Sequence, residues 1–399
     1  MRLPQKSILL FVALAMAMGA PRLAASADGT DEEALGKQYD QEIAAQMGFV
    51  KDAKVRDYVA RVGKKVLSQV HDPGFEFQFK VVDDEMVNAF ALPGGYVYVA
   101  RGMLAALNDE AELAGVLGHE IGHVIGHHSV KQMQKNIAQA LVAIAGLIAS
   151  PDIRNNAGAW LTVTQTMGMQ IITGYGRENE MESDQEGLIL AAAAGYDPRA
   201  IVSFLKTMQG IERLGFQTYH GFMATHPDTI SRIVDAETKS QLLVARDSSP
   251  KERYRDRYLD NIAGLRYGKP RWKGRTLPPY EIAIHTVKEG ETFRSIASGV
   301  ARDMGKAFEI AAINGMELNT PLTPGMRVKA ILPAAEMNVK QEREEERKYE
   351  IGVRIGDGKG GQTGRGGDGK ADHRPEGRDS SNPQGGGSQE SGNENNDGR

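Results

Sequence analysis

The sequence predicts an α+β fold: a mainly helical domain with a small β-sheet, followed by a small βααβ module. Three observations lead there. Apolar residues recur at helical spacing through much of the first 263 residues, as in Val55, Tyr58, Val59, Val62 and Val66. Residues 75–83 (FEFQFKVVD) alternate as a half-buried strand does, and Tyr96–Ala100 follows the turn Pro93-Gly94-Gly95 as a second strand. Beyond a stretch at 264–280 rich in glycine, proline and basic residues, the order strand, turn, helix, helix ending at Asn314-Gly315, strand fills residues 281–333.

At 399 residues the chain exceeds one typical domain. Its 48 basic against 52 acidic residues leave a net charge of −4, so there is no basic field, and no cluster of basic and aromatic residues points to nucleic acid. That partner is excluded. Cysteine is absent, which excludes both disulfides and a cysteine-linked lipid. Arg2 and Lys6 precede the apolar residues 8–18, and Ala25-Ser26-Ala27 offers a cleavage site, so 1–27 reads as a signal peptide and the product as exported to the cell envelope, in the periplasm. The alternative is an uncleaved anchor, but the apolar run is shorter than the ~20 residues a spanning helix needs. Residues 138–148 are apolar and equally too short to span. They read as a core helix or, with 157–172, as a flap making peripheral membrane contact. From 334 to 399 a charged run gives way to Gly, Asp, Asn, Ser, Gln and Arg, a composition that predicts disorder.

The chemistry centres on His119-Glu120-Ile121-Gly122-His123, an HExxH string inside the helical run 111–128. At 3.6 residues per turn the two histidines share one face and both reach one metal ion. Glu120, offset by about 100°, is placed to take the proton of a water attacking a peptide carbonyl. Leu113, Val116, Leu117 and Ile121 turn this face inward, where unligated histidines and a glutamate are costly. A third ligand is needed. His127 lies about 12 Å along the axis from His119, too far to share an ion. The longer metalloprotease pattern HExxHxxGxxH fails, because Ser129 stands at its third histidine. A second helix opening at 176–187 (GRENEMESDQEG) carries Glu180 and Asp184 four apart on one face. They fit a carboxylate ligand and an acid orienting a ligating histidine through its free ring N–H. Glu178 and Glu182 point elsewhere, to solvent or other pairings.

The strings HEIGH, R-x-x-E-x-E-x-D at 177–184 and Thr225-His226-Pro227 resemble the gluzincin family of zinc metalloproteases that includes HtpX, BepA and the CAAX prenyl proteases. The likeness covers roughly residues 36–267, with Ser183 where the family pattern has alanine. It implies a zincin-like protease domain over 28–263, one Zn2+, protein or peptide substrates, and a role in removing misfolded or unassembled envelope proteins. It also places the segment 88–95 near the site. With the strand after the double glycine taken as a sheet edge on which an extended substrate adds, the substrate-binding candidates are Asn88, Ala89, Gly95, Tyr96, Val97 and Tyr98. The other reading makes that strand interior. His226, before a proline, is a further catalytic candidate with three readings: an imidazole gating the metal, an oxyanion donor, or a cap of the following helix. Residues 281–333 resemble LysM, with Glu291 where aspartate is usual, which implies peptidoglycan as a partner or, in a degenerate form, a docking piece. A zinc-containing chaperone or scaffold localised by glycan is the competing function; the intact Glu120 favours the enzyme.

Overall fold

The computed structural model describes residues 29–135, 175–212, 220–268 apart from 228, 248 and 250, and 280–333. The expected signal peptide, the apolar segment 138–148 with the flap 157–172, most of the linker and the tail lie outside the described residues. Among the described residues no helix is long and apolar enough to cross a membrane.

The amphipathic stretch at the start becomes two helices, α1 (Gly29–Gln46) and α2 (Ala53–Leu67), broken where Gly48 takes a φ of 70°. Asp52 caps α2 by accepting from Lys54 N, and Val55, Tyr58, Val59, Val62 and Val66 form its buried stripe. A three-stranded sheet follows, of β1 (Gln78–Val82), β2 (Ala89–Leu92) and β3 (Tyr96–Ala100), in the order β1-β3-β2. Strand β3 runs parallel to β1 and antiparallel to β2. The expectation of β3 as the edge is therefore corrected: it is central. Gly94 and Gly95, at φ of 76° and 90°, fold β3 back onto β2, while β1 occupies its other side. All five residues of β3 are buried, as an interior strand requires. The edge beside the helices is β2.

After the short α3 (Arg101–Ala106), helix α4 (Glu110–Ile125) starts at Asp109, whose side chain accepts from Glu112 N, and is buried from Glu110 to Val124. Helix α5 (Arg177–Ala193) crosses it at very short range. A Cβ added at Gly118 would stand 2.9 Å from the Gly187 Cα, and one at Gly187 2.8 Å from the His119 backbone nitrogen. Only glycine permits that approach, and the approach brings the acids of α5 against the histidines of α4. Helices α6 (Arg199–Glu212), α7 (His220–Thr225), α8 (Thr229–Arg246) and α9 (Arg255–Ile262) complete this part.

The last segment has the expected order: β5 (Tyr280–Thr286), α10 (Phe293–Gly299), a 3₁₀ turn, α11 (Ala307–Ile313) and β6 (Arg327–Pro333), with β5 and β6 antiparallel and β4 (Arg266–Tyr267) added to β5. It has a small apolar cluster of its own, Val287, Ile296, Val328 and Ala330, but is also built into the main core. Ile282, Phe293, Ile310 and Ile331 belong to the same apolar cluster as Leu104, Leu117 and Leu259. Lys329, wholly buried, donates to the carbonyls of Ala105 at 2.8 Å and Leu107 at 2.6 Å, at the C-terminal end of α3. All described residues fall in one compact unit.

Candidate metal centre

Four buried side chains from three places in the chain converge. His119 and His123 come from α4, Glu180 from the first turn of α5, and His226 from the loop between α7 and α8; one donor atom from each lies within 4.8 Å of all the others. His119 Nε2 is 3.0 Å from His123 Nε2 and 3.3 Å from His226 Nδ1. Glu180 Oε1 is 3.1 Å from His226 Nδ1 and 3.4 Å from His123 Nε2. Donors about 2.0–2.1 Å from one zinc in a tetrahedron stand about 3.3–3.4 Å apart. Separations of 3.0–3.6 Å among nitrogen and carboxylate donors fit that ion. Glu120 adds a second sign, since it is fully buried and neither carboxylate oxygen has a hydrogen-bond partner among the described residues. Its Oε1 lies 3.6 Å from His226 Nε2.

A guanidinium ties the set together. Arg232 of α8 donates to both oxygens of Asp184 at 2.7 Å, pairs with Glu180 Oε2 at 2.7 Å and donates to the His226 carbonyl at 3.0 Å. Asp184 Oδ1 in turn lies 2.9 Å from His119 Nδ1, in the place expected for the acid that orients this ring. Burial would raise the Asp184 carboxyl, but Arg232 and His119 outweigh it and hold it at about 2. Glu180 is likewise held well below its ordinary value, with the His226, His123 and Arg232 interactions overcoming burial. Glu120 is raised because burial outweighs His226 and His119. Burial pushes His123 well down, toward the neutral ligating form. For His226 burial acts downward, but Glu180 and Glu120 outweigh it and the net direction is up.

The structure sorts the remaining candidates. Ala89, on the edge strand β2, directs its carbonyl 3.3 Å from His226 Nε2. Asn88 accepts from Thr225 Oγ1 at 3.2 Å, bracing the loop that carries His226. Gly95, Tyr96, Val97 and Tyr98 are not brought to the cluster as a strand-binding edge, because β1 and β2 occupy both sides of β3. Tyr98 instead donates to Asp40 of α1. His226 is neither exposed nor a surface cap; it is buried against Phe222, ring centroids 4.5 Å apart. Three contributors escaped the sequence reading: Arg232, His128 and Tyr175. Tyr175 stacks on the His123 ring at 3.9 Å and shares a hydrogen bond with Ser129. The only linear hint was the run of two histidines at 127–128, of which the inner one, His128, is buried.

A mainly helical domain holding a His, His, Glu, His set beside a buried glutamate has the donor chemistry of a zinc site. Residues 53–240 match the model of Peptidase family M48. The chain is 27% identical over 242 residues to the beta-barrel assembly-enhancing protease of Yersinia pestis, covering 59% of this chain and 50% of that protein. It is 27% identical over 256 residues to the protein of the same name from Escherichia coli K12, covering 59% and 52%. With the mitochondrial metalloendopeptidase OMA1 of Arabidopsis thaliana it shares 32% identity over 158 residues, covering 39% and 30%. The chain spans about half the length, or less, of these curated relatives.

Proposed function

We propose that this chain is an exported zinc endopeptidase that hydrolyses peptide bonds of misfolded or unassembled cell-envelope proteins. The observation that carries the reading is Glu120, a buried carboxylate whose oxygens have no hydrogen-bond partner among the described residues, beside the four-donor set. In this reading His119, His123 and Glu180 hold the ion. Zinc, when bound, polarises the scissile carbonyl and acidifies a water molecule. Glu120, raised by burial toward the pH at which it works, takes the proton of the attacking water and passes it to the leaving amine. Along β2 the pairing of Phe90 with Tyr98 and of Leu92 with Tyr96 turns the backbone groups of Ala89 and Ala91 away from β3, so an extended peptide adds along that edge. The names of the bacterial relatives join protease activity to β-barrel assembly, which supports envelope proteins as the substrate class.

His226 is the fourth member of the donor set, and with its imidazole there the site would have no open position for a water. In our reading this imidazole keeps the enzyme idle until substrate on β2 displaces it from the Ala89 carbonyl. The βααβ order of 280–333 supports a LysM-like module that takes peptidoglycan. Because that module shares a core with the rest, the full chain is the right probe for co-sedimentation with peptidoglycan.

Glu120→Gln tests the function. The amide keeps the volume and cannot accept the proton, so zinc content should be retained while cleavage of an unfolded envelope protein falls by about 10²–10⁴. Undiminished cleavage would refute the assignment and favour a chaperone or scaffold.

A further inference from the structure

We propose that His128 is a positioning residue of the metal centre, holding the His123 imidazole by the ring nitrogen that faces away from the donor cluster. His123 presents Nε2 to the cluster, 3.0 Å from His119 Nε2 and 3.4 Å from Glu180 Oε1. A histidine that ligates through Nε2 keeps its proton on Nδ1 and needs an acceptor there to fix its tautomer and the plane of its ring. For His119 that acceptor is the Asp184 carboxylate at 2.9 Å. For His123 the hydrogen-bond partner of Nδ1 among the described residues is Nδ1 of His128, at 2.9 Å. With His123 donating, His128 accepts through Nδ1 and carries its own proton on Nε2.

The surroundings are built for that ring. The chain leaves α4 at Gly126 and passes through His127, whose φ of 52° is left-handed, so that His128 turns back beneath the helix and is fully buried. A Cβ at Gly126 would stand 2.5 Å from His128 Nε2, so the glycine makes room for the ring. Ser183 of α5, buried in the position where the family pattern has alanine, places its hydroxyl 3.2 Å from His128 Nδ1. Glu182, one residue earlier and exposed, lies 3.4 Å from His128 Nε2, an ion-pair distance at which no hydrogen bond forms but its negative charge favours a proton on this nitrogen. His128 thus bridges the two motif helices: α4 supplies the ligand it holds and α5 the groups that hold it. The two ligating histidines are then unequal, one backed by a buried carboxylate and the other by a neutral imidazole.

The inference rests on His123 being a zinc ligand, and the experiment separates the two claims. The zinc dissociation constant of the full chain is measured by chelator competition for wild type, His128→Asn, His128→Gln, His128→Phe and His123→Ala. Counted from Cα, the asparagine side-chain oxygen replaces Nδ1 and keeps the acceptor, glutamine reaches only the Nε2 position, and phenylalanine keeps the ring without either nitrogen. Loss of the acceptor should weaken zinc about 10- to 100-fold in the Gln and Phe variants, while Asn stays within about threefold of wild type. Wild-type affinity in both Gln and Phe, or an Asn variant as weak as Phe, would overturn the role of the His128 acceptor while leaving the donor set standing. If the Phe variant does not fold, the order of Asn and Gln decides alone: equal affinities overturn the proposal. Undiminished zinc binding by His123→Ala would overturn the donor set, and this inference with it.

Discussion

Replacing Arg232 with methionine removes a guanidinium that pairs with both buried acids of α5, Glu180 and Asp184. Its side chain is 1% exposed and makes 2.7 Å contacts to both Asp184 oxygens and to Glu180 Oε2. Methionine fills much of the same volume, so the loss is mainly electrostatic. Breaking a buried pair from one side costs about 3–5 kcal/mol, because the remaining charge is left uncompensated. At about 2–4 °C per kcal/mol for a domain of this size, Tm should fall by about 6–20 °C at pH 6. The acid limb should move as well. Asp184 in the folded chain is held at about 2 against an ordinary 3.8, so between those pH values the folded state binds fewer protons than the unfolded state. Its contribution is complete above 3.8 and disappears as pH falls through about 2, an amount on the order of 2 kcal/mol. Without Arg232, burial dominates Asp184, its pKa rises, and that stability is already lost in milder acid. Denaturant unfolding of the chelator-treated protein between pH 2 and 6 measures both effects. A midpoint at pH 6 within about 1 kcal/mol of wild type, with the acid limb unmoved, would refute the claim that Arg232 compensates the two acids.

Three further outcomes follow from single contacts. His226→Ala should raise basal cleavage of a peptide substrate if the imidazole gates the site; a fall in kcat with zinc content unchanged would instead make it an oxyanion donor. Gly187→Ala forces a methyl group against the His119 backbone nitrogen, so α4 and α5 must separate; zinc affinity should fall and stability drop by about 1–3 kcal/mol, read by chelator competition and denaturant unfolding. Lys329→Met leaves the carbonyls of Ala105 and Leu107 without their donor, and calorimetry should show the whole folded unit destabilised by about 1–3 kcal/mol in one shifted transition. A separate early transition of the C-terminal segment alone would show that the shared core is not cooperative.

Much of the centre was legible because helical periodicity is local. His119 and His123 share one face by spacing alone, with Glu120 about 100° round from them, and the four-residue step from Glu180 to Asp184 puts one acid in the donor cluster and the other 2.9 Å from His119 Nδ1. The residues that depend on tertiary geometry were not legible. Arg232 lies 48 positions beyond Asp184, and nothing in its own helix distinguishes it from a solvated arginine. His128 was obscured by His127: the helix ends between His123 and the pair, so helical spacing says nothing about which of the two turns inward. The strand after Gly94-Gly95 was read as an edge because its parallel partner β1 pairs across the whole β2 hairpin, a contact no local pattern encodes. The C-terminal segment showed its element order but not its attachment, which rests on a buried lysine reaching back to α3.

The central claim is that His119, His123 and Glu180 hold one zinc and that His226 takes the fourth position in the resting chain. X-ray absorption at the zinc edge of the resting full-length chain counts its imidazoles directly. The account predicts four donors with three imidazoles in the native chain and two imidazoles in His226→Ala. Two imidazoles in the native chain, unchanged by that substitution, would contradict it.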